Sequence, residues 1–163
     1  MKYVISALVS NQAGVLSRIS GLFARRGFNI NSLAVGETED AAVSRMTIIV
    51  DGDDYMVGQV EKQLNKQIDV IKVKRLEGIT TQRELLLVKI TAQAPQRREI
   101  IDITQITGAK IVDLSTGTMT LEICDRPDKI EIFLSLLEPY QIKEIARTGV
   151  IALEKGVHTI GKD

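Results

Sequence analysis

Hydrophobic spacing along the chain switches between a period of two and a period near 3.6 in the same order twice, and this internal repeat limits the possible folds more than any other feature. Tyr3, Ile5, Ala7 and Val9 fall on one face of a run free of Gly and Pro, with Val4 and Leu8 on the other, which predicts a central strand. Val15, Leu16, Ile19, Leu22 and Phe23 then follow at the spacing of one helical face, and Gly27 stops that helix just after Arg25 and Arg26. Phe28, Ile30, Leu33 and Val35 start a second strand whose alternation slips near Asn31 and Ser32, as at a bulge. Met46, Ile48 and Val50 form its hairpin partner. Val57, Val60, Leu64 and Ile68 mark a second helix, and Val70, Ile71, Val73 and Leu76 a fourth strand.

The second half repeats the order. Leu85 to Ile90 read as a strand, Pro95 opens a helix running to Ile106 with Gly108 behind it, and Ile111 to Leu114 pair with Met119 to Ile123 across Ser115, Thr116 and Gly117. Pro127 starts a helix carrying Ile130, Phe133, Leu134 and Leu137, and Ile142, Ile145, Val150, Ile151 and Leu153 supply the last strand region. The expected fold class is α+β: two tandem ferredoxin-like βαββαβ units, residues 1–77 and 78–163, joined within Glu77 to Glu84.

Composition removes several classes of function. The 163 residues hold 21 basic and 21 acidic side chains, so no excess positive charge draws the chain to nucleic acid. Tryptophan is absent and aromatics are 4%, too few for a base-stacking platform. No apolar run approaches the roughly 18 residues that a membrane-spanning helix needs. The lone Cys124 forms no internal disulfide and Met1 to Val9 do not read as a signal peptide, so a cytoplasmic location is expected. One His and one Cys fall short of a zinc site, and Asp51 to Asp54 lack calcium-loop spacing; no metal is expected.

Catalysis finds little support. Cys124 lies in a strand pattern and His158 in the terminal tail, with no base-and-orienter pairing for either, and the twelve glycines form neither a P-loop nor a dinucleotide fingerprint. The first strand-to-helix junction, Asn11-Gln12-Ala13-Gly14-Val15-Leu16, remains. Its helix-end N–H groups suit a carboxylate, and a glycine there allows a ligand close to the main chain. The same residues also fit a plain reading in which Ser10 or Asn11 caps the helix and Gly14 eases the turn.

The runs N-x-x-G-V-L-S-R, G-L-F-A-R-R-G-F-N-I-N-S-L, S-R-M-T-I and E-K-Q-L-N-K, with R-E-L-L-L-V-K-I in the second half, resemble the regulatory (small) subunit of acetohydroxyacid synthase, also called acetolactate synthase. The first half resembles its ACT domain, a ligand-sensing ferredoxin-like module, and the second unit its ACT-like partner; the helix from Ala94 to Thr107 departs most from the pattern. The resemblance implies a chain without an active site that activates a separate catalytic large subunit, where thiamine diphosphate, magnesium and FAD are bound. It also implies feedback inhibition by valine or a related branched-chain amino acid, held between two ACT domains of a homodimer. Carried onto this sequence, Asn11, Gln12, Ala13, Gly14, Val15 and Leu16 of one chain face Asn29 and Ile30 of the other.

In that arrangement the N–H groups of Gly14 to Leu16 take the effector carboxylate, the Asn11 and Asn29 amides its ammonium, and Val15, Leu16 and Ile30 its side chain. A free-standing ACT-type sensor acting on another enzyme is the alternative. The apolar residues on both faces of the first strand are expected to need cover from a second chain, and a Gly14→Asp variant is expected to fold provided Gly14 does not have positive φ.

Overall fold

In the computed structural model, which describes residues 1–161, the chain divides into two compact units. The first is built from β1 (Lys2–Ser10), α1 (Val15–Arg25), β2 (Ile30–Glu37), β3 (Val43–Asp51), α2 (Asp54–Asn65) and β4 (Val70–Arg75). Its sheet has the order β2-β3-β1-β4, antiparallel throughout, so β1 and β3 occupy the centre as their apolar runs require. Ile5, Ala7, Val9, Met46, Ile48 and Val50 point to one face and are fully buried against Val15, Ile19, Leu22 and Phe23 of α1 and Val57, Val60 and Leu64 of α2. Apart from the small Ala7, each such side chain contributes roughly 1.5 to 3 kcal/mol by leaving water. The register of β2 on β3 shifts between Ile30 and Ser32, where the alternation of the sequence slips.

Helix α1 ends as its sequence dictates. Gly27 adopts φ 69°, its N–H donates to the Ala24 carbonyl and that of Phe28 to the Phe23 carbonyl, and the Phe28 ring meets Phe23 edge-on at 6.4 Å. This closing motif satisfies the last carbonyls and hands Asn29 and Ile30 to β2. Helix α2 begins on Asp53, whose carboxylate accepts the Met56 N–H at 2.8 Å. It stops at Asn65, so Ile68 lies beyond it and stands 97% exposed rather than on the helical stripe.

The second unit contains β5 (Thr80–Thr91), a 3-10 turn (Ala94–Gln96), α3 (Arg97–Thr107), β6 (Lys110–Leu114), β7 (Thr118–Asp125), α4 (Pro127–Leu136) and β8 (Ile142–Arg147), with strand order β6-β7-β5-β8. Its core of Leu86, Val88, Ile90, Met119, Leu121 and Ile123 packs under Ile100, Ile130, Phe133 and Leu137. Glu84, 4% exposed, accepts both forks of Arg147 at 2.9 and 2.8 Å, and Arg147 also reaches Glu131 at 2.9 Å. These carboxylates hold the guanidinium well above its ordinary pKa.

The chain after β8 departs from the expected boundary. The sequence reading assigns everything from residue 78 onward to the second unit, whereas the first compact unit comprises Met1–Thr81 and the segment from Val150 on. Gly149, at φ 83°, turns the chain out of β8, and β9 (Ile151–Glu154) pairs with β5, whose first two residues belong to the first unit. This segment lies on the face of the first sheet opposite its helices. Val150 donates its N–H to Ser32 Oγ at 2.9 Å, Arg45 Nη2 donates to the Ala152 carbonyl at 3.0 Å, and Lys74 Nζ pairs with Glu154 at 2.6 Å. Val150, Ala152 and Ile160 are buried in the process, as are Ser6, Thr47 and Ile49 on the sheet. Part of the face expected to await a second chain is thus covered by this one.

Candidate functional site

The first strand-to-helix junction is held by backbone and side-chain bonds to the two other loops at its end of the sheet. Ser10 N–H donates to the Asp69 carbonyl and Asn11 N–H to the Ala42 carbonyl, both at 2.8 Å. The Asn11 amide donates to Glu37 Oε1 at 3.0 Å and to the Ala41 carbonyl at 2.8 Å. With both amide hydrogens committed to oxygens, Oδ1 is the acceptor that the side chain has left to offer. Asn11 therefore does not cap the helix, and neither does Ser10: the N-cap is Gly14, with φ 85°, ψ −11° and no side-chain cap.

That backbone conformation is one that only glycine adopts without strain, so the proviso attached to Gly14→Asp fails. The α-helical ladder starts with Arg18 N–H on the Gly14 carbonyl at 3.0 Å, leaving the N–H groups of Leu16 and Ser17 outside it. Gln12, Ala13 and Gly14 are exposed, Leu16 is 46% exposed, and Val15 is buried in the core. Val15 thus serves packing, and Leu16 is the apolar side chain that the junction offers.

Asn29 and Ile30 are not brought to this place within one chain. Ile30 pairs with Val50, which pairs with Tyr3, whereas the junction lies beyond Ser10 at the other end of β1. Eight residues of strand separate the two levels, ~26 Å at about 3.3 Å per residue. Asn29 is exposed and Ile30 half-buried.

Local spacing did not single out the charged side chains at the junction. Arg18 Nε donates to Asp69 Oδ2 at 2.7 Å, and a Cβ on Gly14 would lie 3.0 Å from Arg18 Nη1, so the guanidinium rests beside the Gly14 main chain. Asp69 and Glu37 are 51 and 26 residues away from their partners, and only the sheet order brings them here. The junction thus offers N–H donors and a cation beside an amide oxygen and a carboxylate, a pattern fit for a small zwitterion.

The corresponding junction of the second unit is closed by its own residues. Arg97 donates to the carbonyls of Ala92, Ser115 and Thr116 at 3.2, 2.8 and 2.6 Å, and Pro95 and the Gln93–Gln96 pair wind the entry into a 3-10 turn. Of the residues considered for catalysis, Cys124 is exposed on β7 and His158 is exposed beyond β9. Among the described residues no group of His, Cys, Asp and Glu is arranged to hold a metal, and no helix is long and apolar enough to cross a membrane.

Residues 5–72 match the model of the AHAS small subunit-like ACT domain, and residues 83–156 that of the small subunit of acetolactate synthase. The chain is 49% identical over 156 residues to a probable acetolactate synthase small subunit of Archaeoglobus fulgidus, covering 96% of this chain and 98% of that protein. It is 48% identical over 160 residues to the acetolactate synthase small subunit of Mycolicibacterium smegmatis, covering 98% and 94%. The chain belongs to the acetolactate synthase small-subunit family. The crystal structure of the small subunit from Thermotoga maritima superposes with a TM-score of 0.89 at 38% identity, over 96% of this chain and 98% of that one. The open junction lies in the part matching the ACT model of the family and the closed one in the part matching its second model.

Proposed function

We propose that the chain is the regulatory subunit of acetohydroxyacid synthase: it activates a catalytic large subunit and makes that enzyme sensitive to valine or a related branched-chain amino acid. The observation that carries the reading is the open, glycine-capped junction of the ACT unit, set against the self-filled junction of the second unit. Thiamine diphosphate, magnesium and FAD belong, on this reading, to the large subunit in the cytoplasm, and no step of the carbon chemistry falls to this chain.

A site that uses both the junction and Asn29 with Ile30 needs two chains, because one chain holds them at opposite ends of a sheet. We place the effector between two first units of a homodimer, where binding is linked to the way the two chains sit. Inhibition then requires that the amino acid bind the inhibited arrangement more tightly than the active one, and couplings of about 1 to 3 kcal/mol give a several-fold to hundredfold response.

Reconstitution tests this. The isolated chain should make no acetolactate from pyruvate, while addition to the cognate large subunit should raise its activity and introduce inhibition by valine. Turnover by the small chain alone, or activation with no response to any branched-chain amino acid, would overturn the proposal.

A further inference from the structure

Resting on that reading of the junction, we propose that Arg18 recognises the effector's carboxylate and that Asp69 is the positioning residue holding Arg18 in place. The first turn of α1 is electrostatically mismatched: a helix N-terminus favours anions, yet this one has no acidic residue, no side-chain cap, and an arginine in its place. Nothing within the helix gains from a cation there. Asp69, 15% exposed and tied to β1 through its carbonyl, takes only Nε of the guanidinium. Nη1 and Nη2 donate to no acceptor among the described residues, and Nη1 lies beside the Gly14 main chain.

A fork held at one edge by Asp69 presents its two terminal nitrogens for bidentate binding of a carboxylate, next to the unpartnered N–H groups of Leu16 and Ser17. The arrangement also gives Gly14 a second role. A Cβ there would lie 3.0 Å from Arg18 Nη1, so the guanidinium would have to give by a few tenths of an ångström from the position that Asp69 sets. Glu37 and the Asn11 Oδ1 stand on the β2 side of the same junction, which orients a zwitterion with its carboxylate toward α1.

Calorimetry of the full-length chain with valine and valinamide separates this proposal from the reading beneath it. Valinamide keeps the amine and the branched side chain but lacks the carboxylate. Wild type should prefer valine at least tenfold; Arg18→Gln should weaken valine binding at least tenfold and leave valinamide binding within twofold, collapsing the preference. Arg18→Lys keeps the charge but not the fork and should fall between. Asp69→Asn should weaken valine binding in the same direction by a smaller factor, with Arg18→Lys deciding the matter if Arg18→Gln does not fold. An unchanged valine-to-valinamide ratio in the Arg18 variants overturns the role of Arg18 while leaving the effector site standing. Wild type that binds no branched-chain amino acid overturns both.

Discussion

The Asn11 amide donates to Glu37 Oε1 across 3.0 Å, so this side chain joins the end of β1 to the end of β2 rather than capping α1. Asn11→Ala removes this bond and the one to the Ala41 carbonyl. Because the residue is exposed, the expected loss of stability is about 1 kcal/mol. Loss of valine sensitivity in the reconstituted enzyme should be much larger than that small shift in Tm suggests. Full sensitivity with a lowered Tm would give Asn11 a structural role only.

Mixing variants tests the two-chain site directly. Pure Asn11→Ala and pure Asn29→Ala dimers carry a defect in every site. A dimer with one chain of each kind has one site built from two wild-type halves and one doubly damaged site. In an equimolar, fully exchanged mixture half of the dimers are of this mixed kind, so about one quarter of the wild-type valine stoichiometry should return by calorimetry. If Asn11 and Asn29 acted within one chain, no mixture would recover any.

Substitution at Gly14 combines two effects that a control can separate. Gly14→Ala forces a Cβ onto φ 85° and onto Arg18, and the backbone strain alone costs about 1 to 2 kcal/mol. Gly108→Ala, at φ 75° with open space around it, carries the strain without any neighbouring junction. Both should lower Tm by similar amounts in thermal unfolding, and only Gly14→Ala should raise the valine concentration needed for inhibition.

In the second unit, Arg147→Met leaves the carboxylate of Glu84 buried without its partner. Breaking such a pair from one side costs about 3 kcal/mol, more than the milder Glu84→Gln, which leaves no buried charge. Denaturant unfolding of the two variants should rank them in that order.

Tyr140 gives a pH test. Burial and its 2.8 Å hydrogen bond to Glu99 hold the phenol above its ordinary value of 10, so the folded state keeps the proton that the unfolded chain begins to lose there. Its contribution is complete below pH 10 and is lost as pH rises through the folded value. Tyr140→Phe should therefore show a shallower fall in Tm between pH 9 and pH 11 than wild type. Parallel curves would remove Tyr140 from the alkaline transition.

Both βαββαβ repeats are legible in the sequence because amphipathic periodicity reports burial on one face of each element, and the slip at Asn31 and Ser32 reports the bulge in β2. The destination of Val150 to Leu153 is not legible. Its pattern is that of a strand, and it pairs with β5 as expected of a last strand, but its packing over the face of the first sheet depends on Ser32, Arg45 and Lys74, more than 70 residues upstream. The candidate site divides the same way. Gly14 announces its importance locally, whereas the partners of Asn11 and Arg18 become neighbours only through strand order, and the burial of Val15 follows from the helix phase.

Because the segment from Val150 closes over the first sheet, the second unit is in effect an insertion between Thr81 and Val150. On the ribosome this inverts the usual order: the half synthesised first is completed last, after the inserted unit has emerged and had time to fold. The nascent first sheet waits with a mixed face, Ser6, Thr47, Arg45 and Lys74 interleaved with the apolar Val4, Leu8 and Ile49, and it is the apolar part that gains from the later closure. A clean excision of the second unit must be internal. Shortening the chain from its C-terminal side instead uncovers the ACT sheet first and reaches the second unit only afterwards.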